Sequence, residues 1–328
     1  QGILEPHALL LKTSSAMNNR HLLSRRDFLT RAALSGVAAA LWHRDASAAS
    51  SGGKFSPPIP VFSKLYQELK LNFDQAAELT AEAGLDGVDC PVRPKGEIEP
   101  ERAADEMPRY AEALRKRKLD MLLITTGINS VSSPHAETVL RTAKKLGIRY
   151  YRLGFSTNTK QKLAGVSLPE IKAQLRELAA LNKQLGLTGV IQNHSPSGRS
   201  TYVGGDLNEM YEIVKDFNPG EIGVAFDLCH ALIVHGDDWT ARFDQLKPHI
   251  KVAYVKDVKR PRQLTPFGEG EFSKTDYFKR LKQMNLTAPL SMHIEYEWHP
   301  KGQATTREAM LKMLQQNLRV LKGWLAAA

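Results

Sequence analysis

The chain alternates between short apolar runs and segments of helical periodicity, and from residue 60 onward it does so eight times. The apolar runs predict strands at residues 61–64, 87–92, 121–125, 150–154, 189–193, 223–227, 251–256 and 290–295. The helical segments are predicted at residues 72–83, 101–117, 134–146, 168–185 and 305–325, with further helices starting at Asp206, Thr240 and Lys274. Eight such units predict an α/β fold, a closed parallel (β/α)8 barrel.

The length of the chain and its motifs limit the number of domains, the cofactors and the disulfides that are expected. A chain of 328 residues accommodates one barrel of about 250 residues with an extension, so we expect a single domain at 60–328. No Gly-rich turn of the G-x-G-x-x-G type follows the first strand, which argues against a nucleotide cofactor. The two cysteines, Cys90 and Cys229, fall near the ends of different predicted strands, so no disulfide is expected between them.

The net charge of +10 invites comparison with nucleic-acid-binding proteins. The basic residues are spread along the helices, often next to acidic ones, as in the run from Arg115 to Lys118 that follows Glu112. No aromatic residues alternate with them. A solvated, charged helix surface explains this pattern, and we expect no nucleic-acid partner.

The N-terminal segment has the organisation of an export signal. Residues 24–29 contain Arg25 and Arg26 and resemble the twin-arginine translocation motif. A mildly apolar run at 32–42 follows, too short to span a bilayer stably, and then a small-x-small cleavage pattern at 46–48. The sequence therefore predicts a leader at 1–48, a linker at 49–59, and a periplasmic or secreted protein that keeps no stable membrane insertion after processing.

Polar side chains collect at the ends of the last four predicted strands. They occur as Gln192-Asn193-His194, Asp227-Leu228-Cys229-His230, Lys256-Asp257 and His293-Ile294-Glu295. The carboxyl ends of barrel strands share one face, where barrels of this type carry their active sites. Burying such groups without a task would cost free energy. We therefore expect a catalytic site at this rim, with His230 in the turn that leaves the sixth strand.

The residue types indicate which chemistry the rim performs. Carboxylates and imidazoles together suit Mn²⁺, Zn²⁺, Co²⁺ or Fe²⁺, and such an ion polarises a sugar carbonyl so that a neighbouring carbon loses a proton more easily. The candidate metal ligands are Asp227, Glu295, His230 and His293. The candidate catalytic residues are Glu295, His230, His194 and Lys256, and the candidate substrate-binding residues are Gln192, Arg152, Arg93, Tyr254 and Trp298.

These motifs resemble the xylose isomerase-like TIM-barrel superfamily, the sugar phosphate isomerase/epimerase group, from about residue 60 to the end. The family's strand-5 pattern Glu-Asn-His corresponds to 192–194, Asp-x-x-His to 227–230, and His-x-Lys-Asp to 254–257. Gly268-Glu269-Gly270 and the strand-8 glutamate, Glu295, also match. The resemblance implies one divalent metal, a small carbohydrate substrate and proton abstraction next to a carbonyl, and it is compatible with an oligomer.

Two positions depart from the family pattern. Gln192 replaces a metal-binding glutamate and Tyr254 replaces a metal-binding histidine. A glutamine is no base, and a tyrosine with its usual pKa near ~10 is a poor ligand. Three alternatives follow: a metal held by Asp227, Glu295 and a rearranged histidine, a metal-free site that uses the histidines and Glu295, or a barrel that binds sugar without chemistry.

The reaction also has alternatives. Epimerisation or aldose–ketose isomerisation is what the resemblance implies first. The loss of one glutamate favours a one-base reaction, such as elimination from or hydration of a keto-sugar glycoside. An abasic-site endonuclease of the same superfamily would need more histidines at strand ends than this chain has. Gly268-Glu269-Gly270 predicts a loop that requires glycine backbone angles.

Overall fold

The structure is a computed structural model that describes residues 55–155, 157–159, 167–198, 200–299 and 304–328. The predicted twin-arginine segment and cleavage pattern lie outside the described residues, so the export signal stays a prediction. Within the described part of the chain, no helix is long and apolar enough to cross a membrane.

Eight parallel strands close into a barrel, which confirms the predicted fold. Each strand pairs with the next along the chain, and the last strand pairs with the first through Met292 and Val61. The strands are β1 Pro60–Phe62, β2 Gly87–Val92, β3 Asp120–Thr126, β4 Tyr150–Arg152, β5 Thr188–Gln192, β6 Ile222–Asp227, β7 Ile250–Val255 and β8 Leu290–Met292.

Helices cover the outside of the barrel. They are α1 Phe73–Ala83, α2 Ala103–Arg115, α3 Ala136–Leu146, α4 Leu168–Leu185, α5 Leu207–Val214, α6 Leu228–His235, α7 Trp239–Leu246, α8 Tyr277–Gln283 and α9 Arg307–Ala327. Two short antiparallel pairs lie in loops: Thr157–Thr159 with Ser200–Tyr202, and Val258–Lys259 with Gln263–Leu264.

Local sequence explains where the most regular helices begin and end. Asn72 caps α1 and Ser167 caps α4, each through a reciprocal capping box with the residue three positions on. Gly84 and Gly147 take left-handed angles just after α1 and α3, with φ of 78° and 82°. Capping and glycine signals are local in sequence, which is why these boundaries were predicted well.

Several predictions about element boundaries were wrong: β4 ends at Arg152 rather than at residue 154, and α8 begins at Tyr277 rather than at Lys274. The first strand stops at Phe62, and Ser63–Leu69 forms a 3-10 helix where strand was expected to continue to residue 64. The eighth strand ends at Met292, so His293 and Glu295 follow it rather than belong to it. His230 lies inside α6 and not in a turn, because Asp227 accepts a hydrogen bond from the His230 backbone N–H and caps that helix.

Two apolar regions hold the barrel together. Most strand and helix residues form one core between the sheet and the helices. Inside the barrel a small separate cluster consists of Leu123, Val190, Ala225, Val252 and Tyr254. This cluster fills the lumen, so the polar residues at the carboxyl ends of the strands lie above an apolar plug that excludes water from below.

Candidate active site

Asp227 is at the centre of the site and is fully buried. Its Oδ2 accepts a hydrogen bond from Gln192 Nε2 at 2.7 Å and lies 3.1 Å from Lys256 Nζ. Its backbone is held from both sides by the Asn193 amide group, at 2.8 and 2.9 Å. Asn193 thus locks the end of β6 against the end of β5, and Asp227 cannot move without breaking this double contact.

Lys256 bridges two carboxylates. Its Nζ lies 3.1 Å from Asp227 Oδ2 and 3.1 Å from Glu295 Oε2. Burial alone would lower the pKa of Lys256, but the two carboxylates outweigh burial and raise it. Burial would likewise raise the pKa of Asp227 and Glu295, yet Lys256 holds both below their usual values. The trio is therefore charged at neutral pH, one cation between two anions.

Two histidines stack beside this trio, with ring centroids 3.8 Å apart. Burial and the charge of Lys256 lower the pKa of both His194 and His230, so both are neutral at pH 7. His194 Nδ1 lies 2.7 Å from the Ser195 carbonyl oxygen. A carbonyl only accepts, so the proton is assigned to Nδ1 and Nε2 keeps a free lone pair.

His230 lies deeper than His194 and is 6% exposed. Its Nδ1 pairs with the Ser195 hydroxyl at 2.9 Å, and its Nε2 lies 3.6 Å from Asp227 Oδ2. Ser195 therefore touches both rings, His230 through its hydroxyl and His194 through its carbonyl. We infer that His230 supports His194 from below and that His194 is the histidine presented to the pocket.

His293 lies on the other side of Glu295. Its Nδ1 is 3.6 Å from Glu295 Oε1 and its Nε2 is 3.7 Å from Asp89 Oδ2. Its ring is sandwiched between Phe62 and Tyr254, at centroid distances of 4.6 and 4.4 Å. This packing fixes the ring next to Glu295, and the charge of His293 also acts on Asp227.

Asp89 was missed by the sequence analysis. It is fully buried in β2 and accepts hydrogen bonds from Thr125 Oγ1 at 2.8 Å and Ser291 Oγ at 3.0 Å. A carboxylate inside an otherwise apolar strand segment, Gly87–Val92, was the available signal. Ser195 was missed as well, and nothing in the sequence marks it out except its place after Gln192-Asn193-His194.

Asp257, next to Lys256, has a structural role. Its carboxylate accepts four backbone N–H groups, from Val258 and Phe272 at Oδ1 and from Gly268 and Gly270 at Oδ2. Gly268 has φ of +92°, and a Cβ on Gly270 would lie 2.1 Å from Asp257 Oδ1. The predicted glycine requirement of this loop is thus confirmed, and the loop wraps one carboxylate.

Two arginines line the opposite wall. Arg152 ends β4 and is 3% exposed, and its guanidinium carbon lies 4.3 Å above the Phe155 ring. Arg93 follows β2, is half-buried, and lies 5.8 Å above the Phe62 ring. Both contacts are to aromatic faces, which attract a cation but do not neutralise it.

A pocket of about 790 Å³ opens over these groups at the carboxyl ends of the strands. Of the predicted site residues, the structure brings eight to its lining: Arg93, Arg152, Gln192, His194, Lys256, His293, Glu295 and Trp298. The other three, Asp227, His230 and Tyr254, are buried beneath the lining. The size suits a monosaccharide or a small glycoside. The catalytic and binding roles of these residues stay predictions.

The residues present do not fit a divalent cation. The amide nitrogen of Gln192 points at Asp227, Tyr254 is a buried phenol whose pKa burial raises, and the Lys256 ammonium lies between the two remaining carboxylates. In the described ranges, no group of three or more His, Cys, Asp or Glu side chains is arranged to hold a metal. The divalent ion expected from the sequence stays a prediction. The chemistry of this donor set argues against it.

A closed parallel barrel whose C-terminal rim carries paired carboxylates, a lysine and histidines defines the class: the (β/α)8 barrels with a polar pocket at the rim. The family model described as "Xylose isomerase-like TIM barrel" matches residues 77–317. The chain belongs to this family. No curated protein sequence matches it.

Solved structures of low sequence identity share the fold. A D-psicose 3-epimerase with D-tagatose from Clostridium cellulolyticum H10 is 12% identical, with TM-score 0.64, over 82% of this chain and 99% of that one. A 3-keto-D-glucoside 4-epimerase from E. coli is 11% identical, with TM-score 0.58, over 79% and 99%. A probable 3-DHS dehydratase from Bacillus anthracis is 14% identical, with TM-score 0.58, over 81% and 99%. At these identities the likeness shows the fold alone.

Proposed function

We propose that the protein is an enzyme that removes a proton from the carbon next to a carbonyl group of a sugar or sugar derivative. The observation that carries this proposal is the Lys256 ammonium, held 3.1 Å from each of two carboxylates beside the neutral His194 in a sugar-sized pocket. A base next to a fixed positive charge is what enolate formation requires.

His194 is the base in this proposal. Its Nε2 has a free lone pair, and its lowered pKa keeps the ring neutral at physiological pH. The ring is held between His230 and Tyr202, at centroid distances of 3.8 and 4.4 Å, so its orientation is set before substrate binds. The C–H proton moves to Nε2, and the electron pair moves onto the carbonyl oxygen.

Lys256 takes the negative charge that develops on that oxygen. An ammonium in a water-poor site stabilises an enolate electrostatically, and no reorganisation is needed because two carboxylates already fix its position. The fold places this cation where the family pattern surrounds a metal with ligands from β5, β6, β7 and β8. A lysine thus supplies the charge that a metal would otherwise supply.

The opposite face of the substrate meets the Lys256–Glu295 pair. The β5 end that carries His194 and the β8 end that precedes Glu295 are three strands apart, so the two groups flank the pocket from different sides. Returning a proton from that side to the same carbon inverts it, and returning it to the neighbouring carbon moves the carbonyl. Epimerisation and isomerisation are therefore the leading reactions. Two of the structures similar in fold are epimerases by name.

A second reaction is favoured by a specific observation. The carboxylates raise the pKa of Lys256 while Lys256 holds the pKa of Glu295 down, which makes the pair slow to release a proton. In an elimination His194 takes the C–H proton, the C–O bond on the next carbon breaks, and the protonated His194 can give that proton to the leaving oxygen. A keto-glycoside lyase or a dehydratase is the alternative, and one structure similar in fold is named a probable dehydratase.

We further propose that the protein works outside the cytoplasm, since Arg25 and Arg26 precede an apolar run and a small-x-small pattern. Fusing residues 1–54 to a reporter that is active only after export tests this. A reporter that stays inactive with the natural arginines, or stays active when both are replaced by lysine, would contradict it.

Deuterium exchange tests the reaction. The protein is incubated in D2O with keto sugars, aldoses, 3-keto-glycosides and the carboxylate derivatives of these sugars, and proton NMR follows each carbon-bound proton. Exchange with no bond cleavage supports an epimerase or isomerase, and release of an aglycone or of water supports a lyase. His194→Gln should abolish either signal. Arg149→Gln, just before the amino end of β4 and away from the pocket, should not. No exchange with any of these sugars would contradict an enzymatic role.

A further inference from the structure

Arg152 is a buried cation that forms no salt bridge with any described residue, and the charges of Asp89 and Glu295 act on it only from beyond ion-pair distance. Only 3% of it is exposed, and its Nη1 is buried with no hydrogen-bond partner. Throughout the described ranges, no carboxylate lies within ion-pair distance of its guanidinium, and the recorded contact is with the face of Phe155. An arginine stays protonated even where burial lowers its pKa, so the charge cannot be removed by releasing a proton.

Two other buried charges of the site have partners at contact distance. Lys256 has Asp227 and Glu295, and Asp257 has four backbone N–H groups. An isolated buried ion is costly, and proteins retain one where a ligand supplies the opposite charge. Arg152 lines the pocket, so the missing counter-ion can arrive only through it.

Arg93 adds a second cation on the same wall. It follows β2, Arg152 ends β4, and only β3 separates the two strands. Gly127, just after β3, borders Arg93: a Cβ there would make ordinary van der Waals contacts, 3.7 Å from Pro94 Cδ and 3.9 Å from Arg93 Cβ. Among the described residues Arg93 also forms no salt bridge. Burial is the main cause that lowers the pKa of Arg152, and the charge of Arg93 adds to it, whereas Tyr254, Asp89 and Glu295 act in the opposite direction.

We propose that Arg152 and Arg93 form a binding site for the carboxylate of an acidic sugar, so that the substrate is a uronic-acid-type carbohydrate. This inference rests on the proposed function, because it names the substrate class of the same pocket. A planar guanidinium binds a planar carboxylate through two parallel hydrogen bonds. The sugar then lies across the mouth, its acid group at the β2–β4 wall and its reacting carbon between His194 and Lys256.

Binding measurements test the site without needing turnover. Isothermal titration of the full chain with D-glucuronate, D-galacturonate and D-mannuronate is compared with D-glucose, D-galactose and D-mannose. At least one acid should bind tenfold or more tightly than its neutral partner, and Arg152→Gln should remove that difference. Arg149→Gln, an exposed arginine at the amino end of the same strand, is the matched control and should retain it.

Stability separates a binding role from a structural one. In the ligand-free protein the melting temperature of Arg152→Gln should equal or exceed that of wild type, because the substitution removes a buried charge that has no salt-bridge partner. A lower melting temperature with unchanged binding of the acids would overturn the proposal. Tighter binding of glucose 6-phosphate than of glucuronate would overturn the carboxylate assignment, as would equal affinity for acids and neutral sugars or no binding of the acids.

The two proposals fail in different ways. Proton exchange of neutral sugars that is unchanged in Arg152→Gln would overturn the acidic substrate and leave the reaction in place. Arginine-dependent binding of a uronate with no exchange of its protons would support the carboxylate site and contradict the reaction.

Discussion

The two sides of the pocket at the carboxyl ends of the strands differ in how their charged side chains are paired. On the β5–β8 side Asp227, Lys256 and Glu295 neutralise one another within 3.1 Å. On the β2–β4 side Arg152 and Arg93 face the pocket against aromatic rings and form no salt bridge with any described residue. In the first half the charges are paired by side chains of the protein itself. In the second half a bound anion would be needed to form such ion pairs. This difference is the reason we propose that the first half carries out the chemistry and that the second binds the substrate.

The comparison also shows how this barrel differs from the family pattern. Two expected ligand positions carry Gln192 and Tyr254, and the remaining carboxylates hold an ammonium. The charge at the centre of the β5–β8 half is therefore built into the chain. A covalently attached cation needs no binding equilibrium, and its loss by mutation should have the largest effect of any substitution at the mouth.

Lys256→Met should remove the positive charge that neutralises Asp227 and Glu295 on the β5–β8 side of the pocket. The fully buried Asp227 would lose its cation, and breaking a buried pair in this way costs about 3 kcal/mol of unfolding free energy. Catalysis should fall below detection by deuterium exchange. Urea denaturation measures the first effect, and Lys259→Met, an exposed lysine three residues on, is the control. Adding Asp227→Asn should recover part of the stability, and a double variant less stable than the single one would contradict the pairing.

His194→Gln should remove activity while leaving the fold intact. Loss of a general base reduces rates by roughly 10² to 10⁴-fold. The ring is only partly buried, so the melting temperature should change little. If the exchange rate is unaffected while His230→Gln abolishes it, the assignment of the two histidines is reversed.

Gly270→Ala should destabilise the loop that wraps Asp257. The new Cβ would lie 2.1 Å from Asp257 Oδ1 and 2.7 Å from the Val258 nitrogen, and forcing an atom into such a site costs about 2 kcal/mol. Gly323→Ala in α9, where no atom lies within 4 Å, should instead stabilise by up to about 1 kcal/mol. Thermal unfolding compares the two, and equal effects would show that the wrapped carboxylate is not rigid.

The smallest expected effect is on the pH dependence of stability. His194 and His230 have lowered pKa values in the folded state, the latter well below 6.5, whereas in the unfolded chain both titrate near 6.5. The unfolded state therefore takes up more protons below that pH, so their contribution is present above pH 6.5 and is lost as pH falls. Each histidine contributes a slope of at most about 1.4 kcal/mol per pH unit. Melting curves should show a shallower decline for His230→Gln, and identical slopes would rule out a buried neutral His230.

Sequence reasoning recovered the fold because its signals are local. Capping boxes at Asn72 and Ser167 and glycines at 84 and 147 mark helix ends with contacts between residues a few positions apart. Sequence reasoning failed where an element depends on contacts between residues that are far apart in the chain. Helix α6 was missed because its start depends on Asp227, a strand residue held by Asn193 from the neighbouring strand.

The chain by itself determined the alternation of strands and helices, hence a closed barrel, and it placed Gln192, Asp227, Lys256 and Glu295 at strand ends. Periodicity and capping depend only on neighbours in sequence. Only the tertiary structure decided how these groups pair: that Lys256 lies between two carboxylates and that Arg152 has none. Such pairing depends on distances between residues far apart in the chain, and those distances exist only once the barrel has closed.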